Sequence, residues 1–127
     1  MCIRDRKYIT RKGGILIYLR QEGRGIGIIN KIKAYVEQDN GFDTAEANKR
    51  LGFGYDQREY DDAMTILNYL EVKRINLLTN NPDKLKAFEN EKIEVNKRIP
   101  IEIPPNKTNE SYLKTKKEFF GHFLEMI

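Results

Sequence analysis

Apolar positions along this chain fall into short runs and stripes, separated by turns rich in glycine and asparagine. Gly14-Ile-Leu-Ile-Tyr-Leu19 is a near-continuous apolar run with β-branched residues, which predicts a buried strand in a parallel sheet. Ile28, Ile29, Ile32, Tyr35 and Val36 recur at helical spacing, and that helix should stop at Gly41. Asp43 followed by Glu46 has the form of a capping box for a short helix ending near Gly52. After a loop over Phe53–Glu59, Ala63, Ile66, Leu67 and Leu70 mark another amphipathic helix. Arg74–Thr79 predicts a second buried strand. Asn81 then caps a helix with Pro82 at its first position, and Leu85 and Phe88 face inward. Ile93 and Val95 alternate as a third strand. Pro100, Pro104 and Pro105 confine Ile101 and Ile103 to an edge or extended segment. Leu113, Phe120, Leu124 and Ile127 predict a closing helix. The order of elements gives an α/β chain: a single domain with a small, mostly parallel sheet and flanking helices.

Composition narrows the class. The 127 residues include one cysteine, Cys2, which excludes a disulfide framework and a self-contained cysteine-based zinc site. No apolar run is long enough for a membrane span and no signal-peptide core opens the chain, so the expected compartment is the cytoplasm, with no membrane partner. The formal net charge of +4 arises at the start. Residues 1–24 carry seven Lys/Arg and two acids, whereas the remaining 103 carry 16 bases and 17 acids. That near-neutral remainder argues against a nucleic-acid partner.

Candidate chemistry sits in the loops. Glu22-Gly-Arg-Gly-Ile-Gly27 lies between a predicted strand and a predicted helix. Its glycines allow close backbone approach to a ligand, and Arg20 and Arg24 supply planar cationic forks matched to phosphate oxygens. The same glycines also suit a tight turn that needs them only for shape. The spacing is not the G-x-G-x-x-G of a dinucleotide fingerprint. Thr79-Asn-Asn-Pro-Asp-Lys84 offers a hydroxyl and a mobile ammonium, or plain helix capping with a solvated lysine. Asp56 and Arg58, two residues apart in a loop, form an ion pair or a charged site. Tyr35 belongs to an apolar stripe and reads as core packing unless its hydroxyl serves a ligand; Thr44 reads as a helix-start residue or a ligand contact. His122 reads as packing or surface, and Cys2 as inert.

Taken together, Tyr18–Gly27, Asn30–Tyr35, Asp43–Asn48, Leu51-Gly-Phe53, Asp56-Gln-Arg58, Leu77–Pro82 and Tyr112–Lys116 resemble the GTP cyclohydrolase II family, in order, from about Gly13 to Leu124. The resemblance implies that Glu22, Gly23, Arg24, Thr44, Thr79 and Lys84 contact GTP and that Tyr35 lies beside the reacting purine. It implies Asp56 as proton acceptor and Arg58 as nucleophile. Arg58 as an electrostatic stabiliser suits the chemistry of a guanidinium better, since its pKa exceeds about 12, and both roles stay open. The implied reaction opens the imidazole ring of GTP and releases formate and pyrophosphate in riboflavin biosynthesis. Zinc and magnesium are the implied cofactors, and a homodimer the implied state of the intact enzyme.

The resemblance also implies three zinc-holding cysteines upstream of Gly13, and this sequence has no such segment. Residues 1–12 therefore read as a non-family or truncated leader, with residues 13–127 as the C-terminal part of the catalytic domain, an incomplete version of the family fold. On that reading the metal ligands within these residues are none. The chain is expected to keep part of the GTP surface and to release little formate alone. The competing expectation is a non-catalytic nucleotide- or phosphate-binding module.

Overall fold

The computed structural model describes residues 2–127, apart from the side chains of Cys2 and Ile3; the reading of Cys2 lies outside the described residues. The elements are α1 (Cys2–Lys12), α2 (Gly27–Asp39), α3 (Thr44–Arg50), α4 (Asp61–Tyr69), β1 (Arg74–Leu78), α5 (Pro82–Lys86), β2 (Glu94–Ile99) and α6 (Glu110–Glu118), with a short 3₁₀ turn at Glu22–Gly25. The chain is α/β, as its pattern predicts. Its contacts divide it into two compact units, one of residues 18–62 and one of residues 1–17 with 63–127. Among the described residues no helix is long and apolar enough to cross a membrane.

In the unit of residues 18–62, α2 stops at Asn40 and Gly41, the latter at φ +95°, where a side chain would be strained. The Asp43 carboxylate accepts the N–H groups of Ala45 (2.7 Å) and Glu46 (2.8 Å), and Glu46 closes the capping box. Arg50 pairs with Glu37 at 2.6 Å and lies over the Phe42 ring, tying α3 to α2. Small residues make this core: Ala34, Ala45 and Ala47 are buried with Ile26. The apolar stripe of α2 is exposed instead. Ile29 keeps 68% of its accessible surface and Tyr35 50%, so the core-packing reading of Tyr35 is corrected: the helix face packed within this unit is the Ala34 face.

In the other unit, β1 and β2 pair in parallel, Arg74 opposite Glu94 and Leu78 opposite Ile99, with an irregularity after Ile75. The connection runs through α5, as a parallel pair requires. Ile93, only 1% exposed, anchors this core with Met64, Leu67 and Ile101. The Asn81 cap accepts Asp83 N–H at 3.0 Å, with Pro82 at the first position as predicted.

Two expectations are corrected. Gly14–Leu19 is not a strand. A strand exists only through ladder pairing, the sheet comprises β1 and β2 alone, and Ile15 and Leu16 are about half exposed. The closing helix ends at Glu118, short of Phe120, Leu124 and Ile127. Gly121 adopts φ +61°, and His122 N–H returns to the Lys116 carbonyl at 3.1 Å. The tail then folds back along its own unit, and the Glu102 carboxylate accepts Glu125 N–H and Met126 N–H.

Candidate functional site

Seven of the nine candidate residues lie in the unit of residues 18–62. The turn after Leu19 is built from left-handed backbone: Gly23 at φ +63°, Arg24 at +59°, Gly25 at +94° and Gly27 at +82°. Glycine is required most firmly at 25. A Cβ there would stand 2.7 Å from the Gln57 carbonyl oxygen, so the loop carrying Asp56 and Arg58 lies directly on this turn. Gln57 N–H donates to the Arg24 carbonyl at 2.9 Å. The Gln21 side chain seals the far end of the loop, donating to Glu59 O (2.7 Å) and accepting Glu59 N–H (2.9 Å). Arg24 is half-buried and Nη1 reaches the Tyr55 carbonyl at 3.5 Å.

Within that loop Asp56 and Arg58 form a two-pronged pair. Arg58 Nε donates to Asp56 Oδ1 at 2.8 Å, Nη2 donates to Oδ2, and Arg58 N–H adds a third bond at 3.1 Å. Partial burial pushes the Asp56 carboxyl up. The Arg58 side chain and N–H, helped by the charges of Arg58 and Arg24, outweigh that and hold it below the ordinary carboxylate range. Asp56 is therefore an ionised acceptor at neutral pH, fastened to a cation.

A second cluster adjoins the same turn. Lys31 Nζ binds Glu22 Oε1 at 2.5 Å and stands 5.7 Å from the Tyr35 ring centroid. The Lys31 ammonium, then the Gly23 N–H, holds Glu22 below its usual range, and Glu22 raises Lys31 in return. Thr44 is the half-buried first residue of α3, directly after its cap. The structure thus gathers Arg24, Asp56 and Arg58 around one turn, and Glu22 with Tyr35 around Lys31.

Thr79 and Lys84 belong to the other unit, at the carboxyl end of β1. Thr79 is 4% exposed and its Oγ1 accepts Asn81 N–H at 3.0 Å; Lys84 is half-buried in α5. Sequence reasoning passed over Lys31 and Gln21. Lys31 sits one turn before Tyr35 on the helix face, a usable signal. Gln21 meets Glu59 across 38 residues, with no local signal. Among the described residues no three of His, Cys, Asp and Glu lie together as a metal-binding group, so they do not fit the zinc the resemblance implies.

In the unit of residues 18–62, then, a glycine turn bearing a cationic fork is locked to a carboxylate–guanidinium loop. The comparisons identify the family. The GTP cyclohydrolase II family model matches residues 4–100, and the chain belongs to that family. It is 56% identical over 119 residues to a GTP cyclohydrolase-2 of Campylobacter hominis, covering 94% of this chain and 61% of that protein. To a GTP cyclohydrolase-2 of Sulfurospirillum multivorans it is 53% identical over 116 residues, 91% of this chain and 81% of that protein. It is also 52% identical over 114 residues to the riboflavin biosynthesis protein RibBA of Endomicrobium trichonymphae, covering 90% of this chain and 28% of that protein. The chain spans about three-fifths of the Campylobacter relative.

Proposed function

We propose that this chain contributes the Arg24, Asp56 and Arg58 part of a GTP cyclohydrolase II site. The enzyme would hydrolyse GTP to formate, pyrophosphate and 2,5-diamino-6-ribosylamino-4(3H)-pyrimidinone 5′-phosphate, the first step of riboflavin biosynthesis. The observation that carries this reading is the Asp56–Arg58 pair fastened to the turn of Arg24. Arg24 and Arg58 match part of a triphosphate, whose charge needs several fixed cations. Glu22, ionised beside Lys31, suits the donor groups of a guanine edge, and the exposed Tyr35 ring offers a stacking face for the purine.

The same pair supports Arg58 as a bound cation. Both of its nitrogens facing Asp56 donate, and a carboxylate already held below its usual range is a weak base for stripping a guanidinium. Magnesium carried on the triphosphate would neutralise the leaving pyrophosphate.

The test uses the purified 127-residue chain with GTP, magnesium and zinc, reading GTP affinity by calorimetry and formate by an enzymatic assay. GTP is expected to bind, Arg24→Ala to weaken binding by about tenfold, and formate release to be little or none. Absence of GTP binding would overturn the proposal. Turnover at an ordinary enzyme rate, ~1 s⁻¹ or more, would overturn the expectation that these residues do not suffice.

A further inference from the structure

We propose that Arg98 is a positioning residue for the Thr79–Lys84 turn, an inference that rests on the nucleotide reading of that turn. Arg98 lies on β2 opposite Leu77, one residue before the strand ends. Its Nη1 reaches inward to two acceptors of the turn, the Thr79 carbonyl at 3.2 Å and Asn80 Oδ1 at 3.3 Å. The guanidinium is covered on one face by Phe123, 4.9 Å from the ring centroid.

Asn80 is the part Arg98 steadies. It is 9% exposed, and its side chain imitates a strand partner for Ile101, accepting Ile101 N–H at 3.0 Å and donating to Ile101 O at 2.8 Å. Its own carbonyl accepts Phe123 N–H at 2.9 Å. Thr79 N–H meanwhile donates to Ile99 O at 3.2 Å. The backbone on either side of the Thr79–Asn80 peptide is thereby held from β2, from the segment after it, and from the tail beyond α6.

Charge-assisted bonds are the stronger ones, and the planar guanidinium serves two acceptors while its face stays packed. A lysine offers a point charge without that plane. Removing the guanidinium takes the Nη1 donor from the Thr79 carbonyl, leaves Asn80 Oδ1 to the Ile101 N–H, and frees the turn to rotate. Thr79 Oγ1 and Asn81 Oδ1 set the start of α5, so Lys84 moves with them. Arg98 accordingly acts on a nucleotide through Thr79 and Lys84, with its charge directed at carbonyl oxygens.

The experiment titrates GTP with magnesium into the ¹⁵N-labelled full chain and follows amide shifts, salt dependence and amide hydrogen exchange in the unaltered protein, Arg98→Gln and Arg98→Lys. In the unaltered chain the amides of Thr79–Lys84 are expected to shift. Both variants should raise the GTP dissociation constant by about 5- to 20-fold and keep the slope of affinity against salt. Exchange at Asn81 and Asp83 N–H should accelerate while α3 amides stay as they were, which controls for folding. Affinity restored by Arg98→Lys, or a flatter salt dependence in Arg98→Gln, would mark a direct phosphate contact and overturn the proposal. Unchanged affinity in both variants would overturn it as well. If GTP moves no amide of the unaltered chain, the nucleotide reading itself fails; exchange at Asn81 and Asp83 then decides whether Arg98 sets the turn at all.

Discussion

Asp56 shows how one side chain is set by opposing forces. Burial alone would lift its carboxyl, and three donors from Arg58 reverse the sign. Because the folded value lies below the unfolded one, the pair's stabilisation is fully present above the ordinary aspartate range. It is lost only as pH falls through the folded value. Arg58→Gln removes the charge and leaves the burial opposed only by the backbone N–H and Arg24, so the Asp56 carboxyl should titrate higher than in the unaltered chain. A ¹³C carboxyl titration reads this directly, and an unmoved midpoint would show that Arg58 does not govern it. At this scale the sequence is informative about residue types and poor about partners. Asp56 and Arg58 are two apart and their pairing is legible. Thr79 offered a hydroxyl on paper, yet the fold buries it against Asn81 N–H. Lys31 links Glu22 to Tyr35 only because the turn brings Glu22 back over α2.

Among elements, the turn at Glu22–Gly27 carries the sharpest prediction. Gly25 and Gly27 both have positive φ, but only at 25 does a Cβ meet backbone, while at 27 nothing lies within 4 Å. Gly27→Ala should cost about 1 kcal/mol from strain alone. Gly25→Ala adds a collision with Gln57 and should cost several times that, displacing the Asp56–Arg58 loop and broadening its amide signals. Urea unfolding of the two variants measures the difference, and equal losses would contradict the close approach. The capping box, α5 with its Asn81 cap, and the C-terminal end of α2 were legible because capping is local chemistry. Gly14–Leu19 was misread because apolar β-branched composition favours a strand without supplying a neighbour to pair with. The closing helix was overextended because apolar spacing continues through a chain reversal at Gly121, where only backbone geometry shows the break.

Over the whole molecule, the α/β class and the ordered motifs were legible, and the exposed stripe of α2 was not. Ile28, Ile29, Ile32 and Val36 each keep more than half of their surface open, which periodicity alone assigns to a core. Patches of this kind bind hydrophobic dyes and other chains. Ile29→Lys with Ile32→Gln should lower fluorescent-dye binding and concentration-dependent association. Unfolding free energy should change by no more than about 0.5 kcal/mol per site. A large loss of stability would show that the stripe is packed after all.

Arg24 holds a backbone conformation that a side chain occupies at a cost of about 1–2 kcal/mol. Arg24→Gly should therefore melt at a higher temperature, by scanning calorimetry, while losing the guanidinium that reaches the Tyr55 carbonyl. Selection for heat resistance alone would drift toward glycine at this position and return a sturdier chain stripped of its cationic fork.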